Sequence, residues 1–334
     1  MKRVAKVLLS CLAVGTLIAY GSIYISPAVF KYSAGLSILI PFFLALNTLI
    51  LLYYLIRLSK RVIIPLALLL LGLPFFKVSI AIHAPIEATG DFSLISYNVK
   101  WFNQERGKSI HDISALTEAL SPDIMCMQEY YHTWPNFDKL NISGDYELTL
   151  IEPSFNLVIL SRYKVLNKGL LFENKNRNNI LFADMAIKAG DTIRIYNVHL
   201  ESMGINTSNL QDTEGIREDY EEVKTKFLDG AAIRADQIEI LLDHVATSPY
   251  PVLIVGDFND VPYSHNYFRL RERFDNAFEK AGRGLGVTYN GKLPFLRIDH
   301  QFFGEGLQIE SFNTIDHVNF SDHFPVLGIY SLSE

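Results

Sequence analysis

The order of apolar and polar residues divides the chain into two parts. Residues 7–30 and 32–56 are long apolar runs without any charged side chain, and a third run, 62–82, is interrupted only by Lys77. A helix needs about 20 residues to cross a hydrocarbon layer of about 30 Å, and a lysine near the end of a run can extend its ammonium group to the interface. The pattern predicts a membrane module over residues 1–82 with about three transmembrane helices.

The third run allows a second interpretation because it contains Pro65 and Pro74. Prolines are tolerated in membrane helices when neighbouring groups satisfy the freed backbone. They also suit a re-entrant segment that returns to the side on which it began. A re-entrant third run would place the rest of the chain on the opposite side of the membrane.

Beyond a short linker at residues 83–90, the apolar runs become shorter and change their period. Residues 92–99 alternate as a β-strand does, whereas apolar residues recur at helical spacing between Ile110 and Leu120. Strands mixed with helices predict an α/β (α+β) domain over residues 91–334. Further strands are predicted at 123–128, 156–161, 180–189, 192–200, 250–256, 298–303 and 326–330, with a helix at 233–245.

Charge follows the same division. Residues 1–82 carry eight basic residues and no acidic one, which leaves 22 basic against all 36 acidic residues in the remainder, a local balance of −14 within a net charge of −6. Such an asymmetry indicates separate domains. The chain has only two cysteines, which excludes a disulfide-based scaffold.

Basic residues beside the apolar runs predict the orientation in the membrane. Short cytoplasmic loops carry an excess of lysine and arginine. We therefore expect a multi-pass protein of the bacterial inner membrane whose domain 91–334 is periplasmic. Six basic residues fall on the predicted cytoplasmic side and two on the other: Lys2, Arg3, Lys6, Arg57, Lys60 and Arg61 against Lys31 and Lys77.

Residues 203–230 form a polar, acid-rich stretch between a predicted strand and a predicted helix. The stretch resembles an insertion and is predicted to be helical in part, over residues 214–228. Because it leaves a strand directly after His199, it is either an acidic flap over a functional site or a solvated surface helix.

Chemically active side chains stand where predicted strands end. Carboxylates gathered at one sheet edge require a metal ion or raised pKa values. Carboxylates joined by amides, without cysteine, suit Mg²⁺ or Mn²⁺ rather than zinc, and such an ion together with imidazoles is suited to the hydrolysis of phosphate esters. The residues are Asn98, Glu129, His199, Asp257, Asn259, Asp299, Asp322 and His323.

Taken in order, the segments around these residues resemble the endonuclease/exonuclease/phosphatase superfamily, which includes deoxyribonuclease I, inositol-polyphosphate phosphatases and bacterial sphingomyelinases. The resemblance implies a four-layer α/β sandwich of two packed β-sheets flanked by helices. The segments are Ser96-Tyr-Asn-Val-Lys, Met127-Gln-Glu, Leu160-Ser-Arg, Asn197-Val-His-Leu, Gly256-Asp-Phe-Asn, Arg297-Ile-Asp-His and Ser321-Asp-His-Phe-Pro-Val.

The resemblance also implies a role for each residue. Glu129 would hold the metal ion, Mg²⁺ or alternatively Mn²⁺, with help from Asn98 and Asp322. Asp257 would activate the attacking water, and His323, oriented by Asp299, would stabilise the developing charge. Asn259 and His199 would contact the phosphoryl oxygens.

Two further arginines and one glycine-rich segment also carry predictions. Arg162 and Arg177 are additional candidates for substrate binding, although each also suits a solvated surface. The segment Gly282-Arg-Gly-Leu-Gly lacks the lysine and hydroxyl residue that end a phosphate-binding loop. We therefore expect a flexible connection there.

The substrate remains open at the level of sequence. Family resemblance favours a nuclease-type phosphodiesterase, yet duplex binding normally uses a basic surface, whereas this domain is acidic. A phospholipid headgroup or a small phosphorylated metabolite is the alternative substrate, and a non-catalytic membrane scaffold is the alternative from another class. The expected partners are the lipid bilayer and the phosphate-ester substrate, without an obligate protein partner.

Overall fold

The computed structural model describes residues 2–84, 86–102, 109–130, 146–149, 151, 156–172, 178–204, 216–291 and 295–333. Its helices are α1 (Lys2–Gly21), α2 (Tyr32–Ile38), α3 (Ile40–Ile56), α4 (Ile63–Leu71), α5 (Leu73–Ser79), α6 (Ser109–Leu120), α7 (Ile216–Val245), α8 (His265–Arg271) and α9 (Ala277–Ala281).

The strands are β1 (Ala81–Ile82), β2 (Phe92–Asn98), β3 (Ile124–Gln128), β4 (Glu147–Thr149), β5 (Leu157–Ser161), β6 (Lys164–Leu170), β7 (Asn179–Lys188), β8 (Asp191–His199), β9 (Val252–Asp257), β10 (Asp275–Asn276), β11 (Arg283–Gly284), β12 (Asp299–Phe303), β13 (Leu307–Thr314) and β14 (Val326–Leu332).

The chain divides into two units, and the first contains the apolar helices. Unit 1 comprises residues 1–80, 204–236 and 261–269. Among the described residues, two helical segments are long and apolar enough to cross a membrane, Arg3–Tyr24 and Tyr32–Ile56. The α4–α5 pair is bent by 51° and makes a third candidate if the pair is one span.

Unit 1 has its own apolar core and a polar contact inside it. Ala19, Tyr20, Ile40 and Leu44 pack with Phe75 of α5. The buried side chain of Asn47 donates to Thr16 Oγ1 at 2.9 Å and so connects α3 to α1. The amide of Asn47 also donates to the carbonyl of Phe43 in its own helix.

Unit 2 comprises residues 81–203, 237–260 and 270–334. Its described strands form two six-stranded sheets, β13-β14-β2-β3-β5-β4 (sheet I) and β10-β12-β9-β8-β7-β6 (sheet II), and the short ladder β1-β11. Both larger sheets are antiparallel except at the pairs β2/β3 and β8/β9, which are parallel. The α/β class expected from the sequence is confirmed.

Alternating side chains divide between two apolar layers of unit 2. Leu94, Ile124 and Cys126 share one buried cluster with residues of sheet II such as Ile195 and Val255, so this cluster fills the space between the sheets. The intervening residues of β2 and β3, such as Ile95 and Met125, pack with Ile110 and Ile113 of α6 on the outer face of sheet I. Burial on both faces explains why β3 is almost uniformly apolar.

Helix α7 differs from the sequence prediction. The pattern indicated two helices separated near Gly230, whereas one continuous helix covers 30 residues from Ile216 to Val245. A single glycine costs a helix only about 1 kcal/mol, and the alanines that follow Gly230 favour helix. Of the predicted flap or surface helix, residues 216–230 are helical, and residues 205–215 lie outside the described residues.

Candidate active site

Strand direction brings the predicted site residues to one edge of the two sheets in unit 2. Asn98 ends β2 opposite Gln128 of the parallel strand β3, and Glu129 follows directly. In sheet II, His199 and Asp257 end the parallel strands β8 and β9 opposite each other. Parallel strands end at the same edge, so each pair presents its polar residues together.

Two antiparallel strands begin where these parallel strands end. Asp299, the first residue of β12, pairs in register with Asp257. Val326 of β14 pairs with Ser96 near the end of β2, which brings His323, three residues earlier, to the same edge. The topology thus gathers residues from six separate segments of the sequence.

Asp257 lies at the centre of this group. Its Oδ2 accepts a hydrogen bond from Asn98 Nδ2 at 3.0 Å, and the same amide donates to Glu129 Oε1 at 3.2 Å. Asp257 is buried, whereas the side chain of Glu129 is 28% exposed. One amide therefore joins a buried carboxylate to a solvent-accessible one.

His199 and Asn259 complete the surroundings of Asp257. His199 Nε2 lies 3.9 Å from Asp257 Oδ2 and 3.9 Å from Glu129 Oε1. The backbone N–H of Asn259 donates to Asp257 Oδ1 at 2.8 Å, and its side chain donates to the carbonyl of Leu200 at 3.1 Å. Both side chains are held beside the same carboxylate.

His323 and Asp299 form a buried imidazole–carboxylate pair. His323 Nδ1 lies 2.9 Å from Asp299 Oδ2, and its Nε2 lies 3.7 Å from Asp257 Oδ2. Burial alone lowers the pKa of His323, but the charges of Asp299 and Asp257 outweigh this effect and raise the pKa to about 10. Burial also raises the pKa of Asp299, against the opposing effect of His323. One proton is therefore retained on the pair at neutral pH.

Asp322 is paired with Lys100, a residue that the sequence analysis did not identify as part of the site. Lys100 Nζ donates to Asp322 Oδ2 at 2.6 Å. Tyr289 is a second such residue, because it forms a β-bridge with His323 and its ring lies edge-on to the imidazole at a centroid distance of 5.5 Å. Neither contact has a local sequence signal, since Lys100 and Asp322 are 222 residues apart.

Ligand atoms able to hold a metal ion lie in this group. One oxygen or ring nitrogen from each of Asp257, Asp299 and His323 falls within 4.8 Å of the others. Asn98 adjoins this cluster through its hydrogen bond to Asp257, and the same amide connects Glu129 to it. Carboxylate, amide and imidazole donors without a thiol fit a hard divalent cation.

The backbone around the site adopts rarely populated conformations. Glu129 and Asn259 have φ values of 51° and 49°, in the left-handed region. Such conformations cost on the order of 1–3 kcal/mol each and cluster at functional sites. Gly256 has a φ of 140°, and a Cβ at this position would lie 2.0 Å from the carbonyl oxygen of Val198, so close contact between β8 and β9 requires glycine.

Two buried amides connect the sheets beneath the site. Gln128 Nε2 donates to Asn197 Oδ1 at 2.7 Å, and Asn197 Nδ2 donates to the carbonyls of Met127 and Val158 at 3.0 and 2.9 Å. Gln128 precedes Glu129, and Asn197 lies two residues before His199. These hydrogen bonds therefore set the distance between the site residues of sheet I and those of sheet II.

Arg162 does not belong to this group of side chains. β5 runs antiparallel to β3, so Ser161 pairs with Ile124 at the end of β3 opposite to Glu129. Arg162 instead donates to Ser121 and lies 3.7 Å from Asp123. The structure therefore does not bring Arg162 to the other predicted site residues, because strand direction places it at the opposite end of β3. Arg177 lies outside the described residues.

Many known structures share this fold. The chain is similar to a protein of unknown function from Enterococcus faecalis V583, with 17% identity, coverage of 72% of this chain and 100% of the other, and a TM-score of 0.55. It is also similar to the D. rerio TDP2 complex with a single-stranded DNA product, with 16% identity, coverages of 72% and 98%, and a TM-score of 0.54.

The catalytic domain of human Nocturnin is a third similar structure, with 16% identity, coverage of 72% of this chain and 94% of the other, and a TM-score of 0.52. No curated protein matches the chain. At these identities, the similarity concerns the fold.

Family models cover both parts of the sequence. Residues 2–79 match a domain of unknown function, DUF8431. Residues 95–323 match the model of the endonuclease/exonuclease/phosphatase family, a match that includes every residue of the group described above. With most of its length inside that match, the chain belongs to the endonuclease/exonuclease/phosphatase family.

Proposed function

We propose that this protein is a membrane-anchored, Mg²⁺-dependent hydrolase of phosphodiester bonds. The observation that carries this proposal is the position of Asp257, which receives the amide of Asn98 at 3.0 Å and lies 3.7 Å from His323 and 3.9 Å from His199. A carboxylate base beside two imidazoles is suited to the attack of water on phosphorus, since the carboxylate can accept the proton and the imidazoles can stabilise the developing charge.

Glu129 is the proposed principal metal ligand, with Asn98 and Asp322 as its companions. Glu129 is a partly exposed carboxylate, with 28% of its side chain accessible, so a hydrated ion can reach it. His323 and Asp299 are less suitable as ligands because they are bonded to each other and retain a proton. A bound Mg²⁺ would polarise the phosphoryl oxygens.

Each remaining residue has a proposed role that fits its contacts. Asp257, held by the N–H of Asn259, accepts a proton from the attacking water. His199 and the side chain of Asn259 contact phosphoryl oxygens. His323, kept cationic by Asp299 and Asp257, stabilises the charge that develops in the transition state.

Nucleic acid is one candidate substrate, supported by the similar fold of TDP2 in complex with single-stranded DNA. A phospholipid headgroup or a small phosphorylated metabolite is the second candidate. The local charge of −14 outside the membrane module favours the second, since strong binding to long polyanions requires a basic surface.

Contacts within unit 1 support three membrane crossings. Tyr20, at the end of α1 opposite to Lys2, packs against Phe75 of α5 with a ring-centroid distance of 4.8 Å. Helix α5 therefore reaches the end of the bundle at which α1 terminates, which favours a complete third span over a re-entrant segment. Six basic residues at the other end then favour a periplasmic domain.

Further contacts at the same end of unit 1 agree with this topology. Ile23 O lies 2.7 Å from His265 Nδ1, Lys31 Nζ donates to Asp229 at 2.9 Å, and Phe268 packs on Phe75. The extramembrane residues of this unit thus contact the end of α1, the start of α2 and α5.

The test uses the full chain in lipid nanodiscs with Mg²⁺. Plasmid DNA, a single-stranded oligonucleotide, sphingomyelin and inositol phosphates are offered side by side, and released product is measured with the wild type and with Glu129→Gln. We expect cleavage of at least one phosphodiester, lost in the variant and on addition of EDTA. Activity that persists in both controls would contradict the metal-dependent mechanism.

A further inference from the structure

Unit 2 contains a group of exposed basic and apolar side chains around strand β1, which follows α5 in sequence. Strand β1 begins two residues after α5 ends at Ser79 and pairs with β11, so that Ala81 lies opposite Gly284 and Ile82 opposite Arg283. Cross-strand partners share one face of a ladder. Ala81 is buried in the core, and Ile82 and Arg283 together occupy the outward face.

The structure thus corrects the expectation for Gly282-Arg-Gly-Leu-Gly, because part of this segment is strand β11 rather than a flexible connection. The strand holds its arginine beside an isoleucine that is 90% exposed. Arg283 forms no ion pair with any residue in the described part of the chain. Its planar donor group is therefore free for a ligand.

A cavity of about 630 Å³ adjoins this ladder. Its lining includes His83, Ile86, Lys280, Arg283 and Glu310. Lys280 pairs with Asp275 at 3.0 Å, but both side chains are more than half exposed, and such surface pairs are easily exchanged. Both oxygens of Glu310 already accept hydrogen bonds, from Thr89 N and from Ser331 Oγ. The cavity is consequently suited to an anion.

The short chain connection between α5 and β1 keeps this cavity near the proposed end of the third span. Ile82 follows Ser79 by three positions in the sequence, which is about 10 Å of extended chain, and the headgroup layer is about 5–8 Å thick on each side. Exposed apolar side chains beside cations are the composition of a surface that lies in the headgroup layer. Ile82 and Ile86, 90% and 60% exposed, supply the apolar part.

We propose that this juxtamembrane cluster (Ile82, His83, Ile86, Lys280 and Arg283) binds the phosphate of an anionic lipid headgroup in the leaflet where α5 ends. Arg283 supplies the planar pair of donors that matches phosphate oxygens, and Lys280 supplies a second cation. Ile82 and Ile86 enter the acyl boundary. The site is separate from the catalytic group, so the inference rests on the proposed membrane anchoring and not on the proposed hydrolysis.

The experiment measures contact with lipid at Ile82. Cys11 is replaced by alanine, Cys126 is buried and remains, and Ile82→Cys carries a fluorophore in full-length protein in nanodiscs. Quenching is compared between nitroxide-labelled phosphatidylglycerol and nitroxide-labelled phosphatidylcholine at equal mole fraction. Because each basic residue near a membrane contributes about a fivefold preference for anionic lipid, we expect severalfold stronger quenching by phosphatidylglycerol.

A cluster variant and a control variant distinguish binding by the juxtamembrane cluster from a general effect of positive surface charge. Lys280→Gln combined with Arg283→Gln should make the two quenchers equally effective, whereas Lys164→Gln combined with Lys168→Gln, on exposed strand β6, should not. Equal quenching in the parent protein, or no effect of the cluster variant, would overturn the proposal. Loss of the preference on adding inorganic phosphate would instead identify a soluble phosphate site and would also overturn it.

Two further label positions separate failure of this inference from failure of the membrane module. A label at Leu49, which is exposed on α3, should be quenched by both lipids, and a label at Leu166 on β6 by neither. Quenching at Leu49 without quenching at Ile82 would refute the lipid site alone. Absence of quenching at Leu49 would refute the anchoring and the lipid site together.

Discussion

The hydrogen bonds of Asn197 offer a direct test of how the two sheets hold the site together. The replacement Asn197→Leu keeps a side chain of similar size but removes three buried hydrogen bonds, one from Gln128 and two to the carbonyls of Met127 and Val158. Asn197 is fully buried, so water cannot readily take the place of the lost partners.

The expected cost follows from these contacts. A buried hydrogen bond contributes about 1 kcal/mol net, and a buried polar group left without a partner costs about 1–3 kcal/mol. Other hydrogen bonds remain for the amide of Gln128, to Ser96 Oγ and the carbonyl of Cys126, so the full penalty does not apply to it. We expect a loss of about 3–5 kcal/mol, which is a decrease in Tm of about 10 °C for a domain of this size.

Activity should fall as well, because Glu129 and His199 follow the affected residues on different sheets. A displacement of about 1 Å in a catalytic geometry can cost on the order of 100-fold in rate. We therefore expect kcat to fall at least tenfold with little change in KM, measured at a temperature well below the Tm of the variant. Intrinsic fluorescence during heating supplies the Tm.

Asn276→Leu is the matched control. This buried asparagine accepts hydrogen bonds from the N–H groups of Phe278 and Glu279 at the start of α9, at the end of sheet II remote from Asp299. Its loss should cost about 1–2 kcal/mol and leave kcat unchanged. A Tm for Asn197→Leu within 1 °C of the wild type, or equal losses of kcat in both variants, would refute the role of the amides as a connection between sheets.

Three further predictions concern chemistry and topology. Asp257→Ala and His323→Ala should each abolish nearly all activity, and the double variant should be no worse than either single one, since the groups act as a unit; losses that multiply would contradict this. Because the pKa of His323 is raised to about 10, the imidazolium charge persists in the folded enzyme at neutral pH and is lost as pH rises through about 10, so kcat should decline only near pH 10. In Asp299→Asn this decline should move to lower pH, and an unshifted profile would exclude the pair. Protease added to spheroplasts should release a fragment of the size of residues 86–334, whereas protection until lysis would reverse the orientation.

Local pattern was sufficient for the class of fold and for most of its elements. Strand β2 alternates, α6 repeats at helical spacing, and apolar strands such as β9 end abruptly at polar residues. These features depend on neighbouring residues, so a linear pattern records them. Edge strands β6 and β13 escaped prediction because one or both of their faces are partly exposed and their residues are mixed.

Candidate site residues could be named from the sequence because polar residues recur at the ends of apolar strands and their segments resemble one family in order. Which of these residues contact one another could not be predicted from the sequence. Asp299 contacts His323 because β12 begins opposite the end of β9, and Lys100 meets Asp322 across 222 residues. Pairings of this kind depend on strand order and register, which a local pattern does not contain.

Arg162 illustrates the same limit from the opposite direction. Its segment resembles the family motif, yet the antiparallel pairing of β5 with β3 carries it to the far end of the sheet from Glu129. Likewise, Arg283 lies in a glycine-rich stretch typical of loops, and pairing with Ile82 makes it part of the β1-β11 ladder. The sequence specified the residue types and their order, and the long-range pairing of strands selected which of them meet, because hydrogen bonds between distant strands override local preference.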